Sequence, residues 1–259
     1  MSKRDLYEWS QQARSVWLIQ GNSVWAAKQD GIPVRKHAYP HYHPPNSLSE
    51  DESPLVLPAV GQQITFSVEL ACRIGERGEH VSAADAQRLI ASYHVFVAVR
   101  DNSYIQYARK CSNFPHFGKV EDVTKDYDYE VLHAWAAGFA QLSKANIDAG
   151  KGFPIDRAMG MTVDGFDSVD TNTNVYAHHP AAAIEMITQF VCVDEGDVIS
   201  LGTAGPKIVV DPEQKLPQDT KLTARIDGVG EMVLTIDDRR SDDNYYSRSY
   251  EAGRVSGFV

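Results

Sequence analysis

Apolar and polar residues alternate most clearly between 63 and 74. Ile64, Phe66, Val68 and Leu70 fall on one face, and Thr65, Ser67, Glu69 and Ala71 on the other. A period of two over this length predicts a strand with one buried face. Glu69 then projects from the opposite face, two places from Ser67. Shorter apolar runs at Val16 to Ile19 and Val24 to Ala27 flank Gly21-Asn22-Ser23 and predict two strands about a turn. Val95 to Val99 predicts a buried strand that ends at Arg100-Asp101-Asn102, and Met159 to Val163 a short strand turned by Asp164-Gly165. Glu195-Gly196-Asp197 turns into a further strand at Val198-Ile199. Leu222, Ala224 and Ile226 alternate, as do Met232, Leu234 and Ile236, which predicts a hairpin across the glycine-containing loop from Asp227 to Gly230. Helical signals are fewer. Ser82 followed by Asp85 has N-cap spacing and predicts a helix over Ala83 to Tyr93. Val131 to Leu142 predicts another. Pro180 to Val191 is a third, with Pro180 in its first turn and Ala183, Met186, Ile187 and Phe190 on one face. Interspersed elements with more strand than helix predict an α+β class with a curved, mixed sheet.

Three stretches carry no period. Residues 36–60 are rich in Pro, His, Ser and acid and predict an extended connection. Its His37, His41 and His43 suggest a metal, but the prolines among them break the regular spacing of a preformed site, so a polar loop is the simpler reading. Residues 104–130 are irregular, aromatic and charged, as expected of an insertion; a loop of that length is uncommon unless functional or mobile. The last twenty residues are polar and aromatic, suited to a surface or an interface. The organisation expected is a small β-rich segment with a loop over 1–43, then one large domain over 44–259.

At 259 residues, 43% hydrophobic and 23% charged, the chain is long enough to bury its own core. The formal net charge is -10. Duplex binding needs clustered Lys and Arg to displace counterions. No such cluster occurs, so nucleic acid and anionic membrane are not expected partners. Cys72, Cys111 and Cys192 are far apart and odd in number, against both a disulfide framework and a zinc site. Cys72 and Cys192 lie in apolar runs, as buried thiols of a reducing compartment do. The chain opens on Ser2-Lys3-Arg4-Asp5 without an apolar run, so a cytoplasmic location is expected. No P-loop, GxSxG, HExxH or helix-opening GxGxxG is present.

What remains is a series of phrases in fixed order: Pro44-Pro45-Asn46-Ser47-Leu48, Leu55-Val56-Leu57-Pro58, Phe66-Ser67-Val68-Glu69-Leu70-Ala71, Asp164-Gly165 and Thr171-Asn172-Thr173. The stretch from Glu195 to Gly205 and the hairpin around Gly228 follow and are the most specific. From about Pro44 to Asp238 this series resembles the fumarylacetoacetate hydrolase family. The His179-Pro180 helix start and Gly205-Pro206 look like the related 2-keto-4-pentenoate hydratases. The resemblance implies a mixed, rolled β-sandwich with a few helices, often a homodimer, acting on a small-molecule substrate. It also implies Mg²⁺ or Mn²⁺ held by an E-x-E pair and a later acid. The reaction implied is C–C hydrolysis or decarboxylation of an enolisable β-diketo or 2-keto acid. A hard cation prefers carboxylate oxygens and stabilises the enolate that forms beside a carbonyl.

Carried over residue by residue, Glu69 matches the second glutamate of E-x-E, and Ser67 stands where the first should be. The later acid falls at Ala98 in an ungapped reading; Asp101, the nearest carboxylate, needs a shifted register. The metal ligands implied are therefore Glu69 and Asp101. Lys144 resembles the lysine that contacts the substrate carboxylate, and Thr203 and Ser67 complete the substrate contacts. The family's water-activating His–Glu pair has no clear match; His41 or His37 with Glu50 stands in by analogy. Each position also has a plain role open to it: Glu69 as a solvated strand residue, Asp101 as a strand terminator, Lys144 as a surface lysine, Thr203 as a turn residue. With one glutamate replaced, two alternatives stand beside the metal enzyme. One is a metal-free isomerase or cyclase, and the other is an inert binding homologue with a filled pocket.

Overall fold

The computed structural model describes residues 15–31, 33–50, 54–57, 63–101 and 138–240, with backbone only at Asp30, Asp101, Gly138 and Phe139. In chain order the elements are β1 (Val16–Ile19), α1 (Val24–Asp30), β2 (Pro40–His43), β3 (Leu48–Ser49), β4 (Leu55–Leu57), β5 (Ile64–Ile74) and α2 (Ala83–Ala86). Then come β6 (Ile90–Asp101), β7 (Gly138–Asp148), β8 (Ala158–Val163), β9 (Val169–Asn172), α3 (Pro180–Thr188), β10 (Val198–Ser200), β11 (Ile208–Val210), β12 (Lys221–Ile226) and β13 (Gly230–Asp238).

Two sheets form the α+β sandwich expected. The larger runs β2-β1-β10-β5-β6-β7-β3, with β11 also on β5; the smaller runs β4-β13-β12-β8-β9. Both are mixed, since β1 with β10, β3 with β7 and β4 with β13 pair in parallel. The main core lies between them. Phe66, Val68, Leu70 and Cys72 of β5 pack with Met159, Met161, Leu222, Ala224, Met232 and Leu234 of the smaller sheet. β1 and β2 belong to the larger sheet, so the boundary expected between residues 43 and 44 runs through one sheet.

β5 carries the site, and its two edges differ. One edge pairs with β6 along the whole strand. The other is split: β10 covers Ala71 to Arg73 and β11 covers Ile64 to Phe66. Between them the backbone is met by a loop, where the Leu201 N–H donates to the Leu70 carbonyl at 2.9 Å. The Tyr176 hydroxyl accepts from the Leu70 N–H at 3.1 Å and donates to the Gly202 carbonyl at 3.0 Å.

Several expectations are corrected. The second face of β5 is not solvated: Ser67, Glu69 and Ala71 are buried with it, because the sheet rolls over a second cluster that includes Val16, Leu18, Phe96, Ala98 and Leu142. Val24 to Ala27 is helical, since the Ser23 side chain accepts from the Ala26 N–H at 3.1 Å and Gly31, at φ 67°, closes the helix. A four-residue apolar run cannot itself distinguish the two. The helix expected to Tyr93 stops at Ala86 and gives way to a 3-10 turn; the chain then enters β6, where its backbone pairs with β5. Gly138 to Leu142 is strand because β6 offers it a partner, Phe96 opposite Leu142. The connection over 36–60 contains strands, with His41 and His43 on β2 and His37 exposed before it.

The strand at Met159 to Val163 and the terminal hairpin occur as expected; the helix from Pro180 also forms, but it ends at Thr188 and leaves Phe190 exposed. Cys72 is a buried free thiol, pushed up to about 12 by burial, and Cys192 is a half-buried one. Cys111, the stretch 104–130, residues 131–137 and residues 241–259 lie outside the described residues. Among the described residues no helix is long and apolar enough to cross a membrane.

Candidate functional site

The split in the edge of β5 is where chemistry-bearing side chains meet. Ser67 and Glu69 share the inner face of the rolled sheet, and their register partners on β6 are Ala98 and Phe96. Thr65 pairs with Arg100, so Arg100 falls on the same row, two residues beyond Ala98. Glu69 is fully buried. Its Oε1 accepts from Ser67 Oγ at 3.0 Å and from Thr203 Oγ1 at 3.1 Å, and its Oε2 accepts from Ser200 Oγ at 2.5 Å. The Arg100 guanidinium stands 3.7 Å from Oε1 and is a quarter exposed, 26%. A buried carboxylate needs such partners, because leaving an ion without them in a low dielectric costs several kcal/mol.

The loop between β10 and β11 delivers Thr203. Its shape depends on Gly202, at φ 81°, where an added Cβ would lie 2.1 Å from the Ile19 carbonyl oxygen. The start of α1 ties this loop down. Ser23 Oγ donates to the Ala204 carbonyl at 2.7 Å, and Asn22 Nδ2 donates to the Leu201 carbonyl at 3.2 Å. Outside Glu69 lies a cavity of about 360 Å³, whose walls include Trp25, His41, His43, Arg100, Thr203 and Lys207. His41 and His43 alternate on β2 opposite Leu18 and Val16, and both are buried. Burial lowers the His43 imidazole to about 4, with help from the Arg100 charge and from His41, so it is neutral at pH 7.

The family model for the fumarylacetoacetate (FAA) hydrolase C-terminal domain matches residues 15–237. The chain belongs to the fumarylacetoacetate hydrolase family. Fumarylacetoacetate hydrolase domain-containing protein 2 of Pongo abelii is 26% identical over 219 residues, 84% of this chain and 65% of that protein. Oxaloacetate tautomerase FAHD2B, mitochondrial, of Homo sapiens is 25% identical, over 82% of this chain and 63% of that protein. The chain thus aligns with less than two thirds of the length of these two relatives. Among solved structures, fumarylpyruvate hydrolase from Pseudomonas aeruginosa in complex with Mn²⁺ and pyruvate has a TM-score of 0.65 at 17% identity, covering 87% of this chain and 90% of that one. The 2-hydroxyhepta-2,4-diene-1,7-dioate isomerase from Mycobacterium marinum has a TM-score of 0.64 at 20% identity, covering 89% and 77%. These two share the fold. The family includes hydrolases, isomerases and tautomerases.

A divalent ion is implied by the family, and the donor set at Glu69 does not fit one. Hard cations collect several carboxylate or carbonyl oxygens. Here one carboxylate, already bonded by three hydroxyls, faces a guanidinium, and the neighbouring positions are Ser67 and Ala98. Among the described residues no three His, Cys, Asp or Glu side chains gather as ligands.

Of the residues singled out from the sequence, the structure brings together Glu69, Ser67 and Thr203, with His41 in the cavity wall. Lys144 is exposed on β7 and does not line that cavity. Glu50 forms an ion pair with Arg73 and does not line it either. Asp101 pairs in register with Ile64, one residue past the row of Arg100, and its side chain lies outside the described residues. Sequence reasoning passed over Ser200 and Lys207, took His43 only as one of three loop histidines, and gave Arg100 no role beyond the charged end of a strand. The signal for Arg100 was present: counted in twos from Phe96 through Ala98, it is the next residue on that face.

Proposed function

We propose that this protein is an enolising enzyme for a 2-oxoacid, a tautomerase or double-bond isomerase, working in the cavity beside Glu69. The observation that carries the reading is the Arg100 guanidinium, 3.7 Å from Glu69, in a cavity that also holds neutral imidazole. Enolisation needs a base for the proton on the carbon beside the carbonyl and a positive group for the oxygen that becomes negative. His43 supplies a neutral nitrogen, and His41 places a second imidazole in the same wall. Arg100 supplies a permanent positive charge and donors in a fixed fork. Lys207 at the cavity wall suits the substrate carboxylate. The C–H proton passes to an imidazole, the C=O bond becomes an enolate held by Arg100, and the proton returns to oxygen or to another carbon.

C–C hydrolysis or decarboxylation of a β-diketo or 2-keto acid would pass through the same enolate. Hydrolysis also needs an activated water, and the His41–Glu50 pair that would serve has its carboxylate on Arg73. The name of the human tautomerase relative fits the simpler chemistry. An open cavity beside Glu69 supports an enzyme over an inert homologue with a filled pocket.

The test follows enol loss from oxaloacetate by ultraviolet absorbance, and deuterium exchange into 2-oxoacids by NMR, with chelator present. Acceleration is expected, and Arg100→Met should lower it by about 10²–10³-fold. His43→Gln and His41→Gln should show which imidazole takes the proton, with a loss of about 10²-fold or more at that residue. Wild-type rates equal to buffer for every 2-oxoacid tried would sink the proposal. Release of a cleaved acid from an acylpyruvate would replace it with hydrolysis.

A further inference from the structure

The same row of side chains supports a statement about ions that holds whatever the substrate is. Ser67 and Ala98 are direct partners across β5 and β6, and Glu69 lies two residues from Ser67 on the same face. Three carboxylates at these positions would converge on one point. This chain keeps one of the three, and the guanidinium of Arg100 approaches it from the next position of the row. We propose that Arg100 is a built-in cation that takes the place of a divalent ion in this site, making the cavity metal-independent.

Three features support it. First, a carboxylate offers about four lone-pair directions, and three here already receive hydroxyl protons. Little of Glu69 is left for an ion. Second, Ser67 and Thr203 point their oxygens at Glu69 and at each other, 3.4 Å apart, which closes the space between β5 and the loop. Third, the charges of Glu69 and Arg100 already cancel. A divalent ion entering beside them would meet one negative and one positive group, whereas hard-cation sites rely on an excess of anionic oxygen. Arginine stays charged at all physiological pH, so the positive charge is independent of ion supply and of acidity. The proposal deepens the enolisation reading by naming the electrophile as part of the chain, but its test needs no substrate, so either can fail alone.

The test titrates Mn²⁺ into the full chain and follows the free aqueous ion by electron paramagnetic resonance. Wild type is expected to leave the ion free at millimolar concentrations. The triple variant Ser67→Glu, Ala98→Asp, Arg100→Gln is expected to take up one ion per chain with at least about tenfold tighter binding. Restoring Arg100 to that variant should weaken the binding again. Micromolar binding by wild type that disappears in Glu69→Gln would overturn the proposal. So would a folded triple variant, checked by circular dichroism, that binds no better than wild type. If the triple variant does not fold, Arg100→Gln is compared with Arg100→Lys. The first should bind Mn²⁺ more tightly because the second keeps the charge, and equal affinities would overturn the assignment.

Discussion

His43 and His94 are both buried, and burial lowers each imidazole to about 4 from its usual 6.5. For His94 the Ser143 carbonyl contact pulls the other way but does not win. Between pH 6.5 and about 4 the unfolded chain therefore holds protons that the folded chain does not. Stability falls as the pH drops through that window and levels off below it, by up to roughly 3 kcal/mol for each residue. Thermal melts at pH 7 and pH 4.5 should show the loss, and replacing His94 with Gln should reduce the pH dependence. At this scale the sequence was partly legible. Glu69 and Thr203 stood in recognisable phrases, and they touch. The role of Arg100 and that of Ser200 were not legible, because they come from register: which residue lies opposite another is set by pairing between segments far apart in the chain.

Short elements depend on their ends. α1 is a seven-residue helix whose sequence alternates no better than a strand, and its identity rests on Ser23 at one end and Gly31 at the other. Nothing lies within 4 Å of where a Gly31 Cβ would sit, so Gly31→Ala adds no collision and costs only the left-handed backbone, about 1 kcal/mol. Urea denaturation should give that value with an unchanged slope. The loop that carries Thr203 is held by the other end of the helix, through Asn22 and Ser23, so the cost should appear in stability and leave substrate affinity unchanged. Long patterned segments were legible for a related reason. β5 and the terminal hairpin repeat one signal often enough to decide their type, whereas Gly138 to Leu142 carried a helical pattern that the β6 edge overrode.

The two sheets are joined near the end of the described chain by Arg240, which is buried. Its guanidinium donates to the Val210, Asp211 and Gln214 carbonyls and to Asp238 Oδ2 at 2.8 Å, linking β13 of the smaller sheet to the end of β11 in the larger. Burial alone would raise the Asp238 carboxyl, but the Arg240 hydrogen bonds and the Leu216 N–H outweigh it and hold it below its usual value. Arg240→Met leaves the buried Asp238 carboxylate without its positive partner and takes a donor from the Val210, Asp211 and Gln214 carbonyls, and should lower stability by about 3 kcal/mol in chemical denaturation. The overall class was legible because strand patterns outnumbered helical ones. The rolling of the sheet was expected from the family resemblance; what the strand pattern did not show is that the rolling buries Glu69.

The divided edge of β5 also sorts the site by how fast its parts can open. Amides of β5 and β6 are held by a long continuous ladder between two apolar layers, so they should exchange with deuterium only through global unfolding. The loop from Leu201 to Lys207 is held by single bonds to Leu70, Glu69, Tyr176, Ser23 and Asn22 and not by a ladder, so it should open locally. A ligand that settles against Thr203 should therefore slow exchange in that loop while leaving Glu69 and its neighbours on their own slower timescale. On this expectation the carboxylate is the fixed part of the site, and the threonine above it the part that opens first.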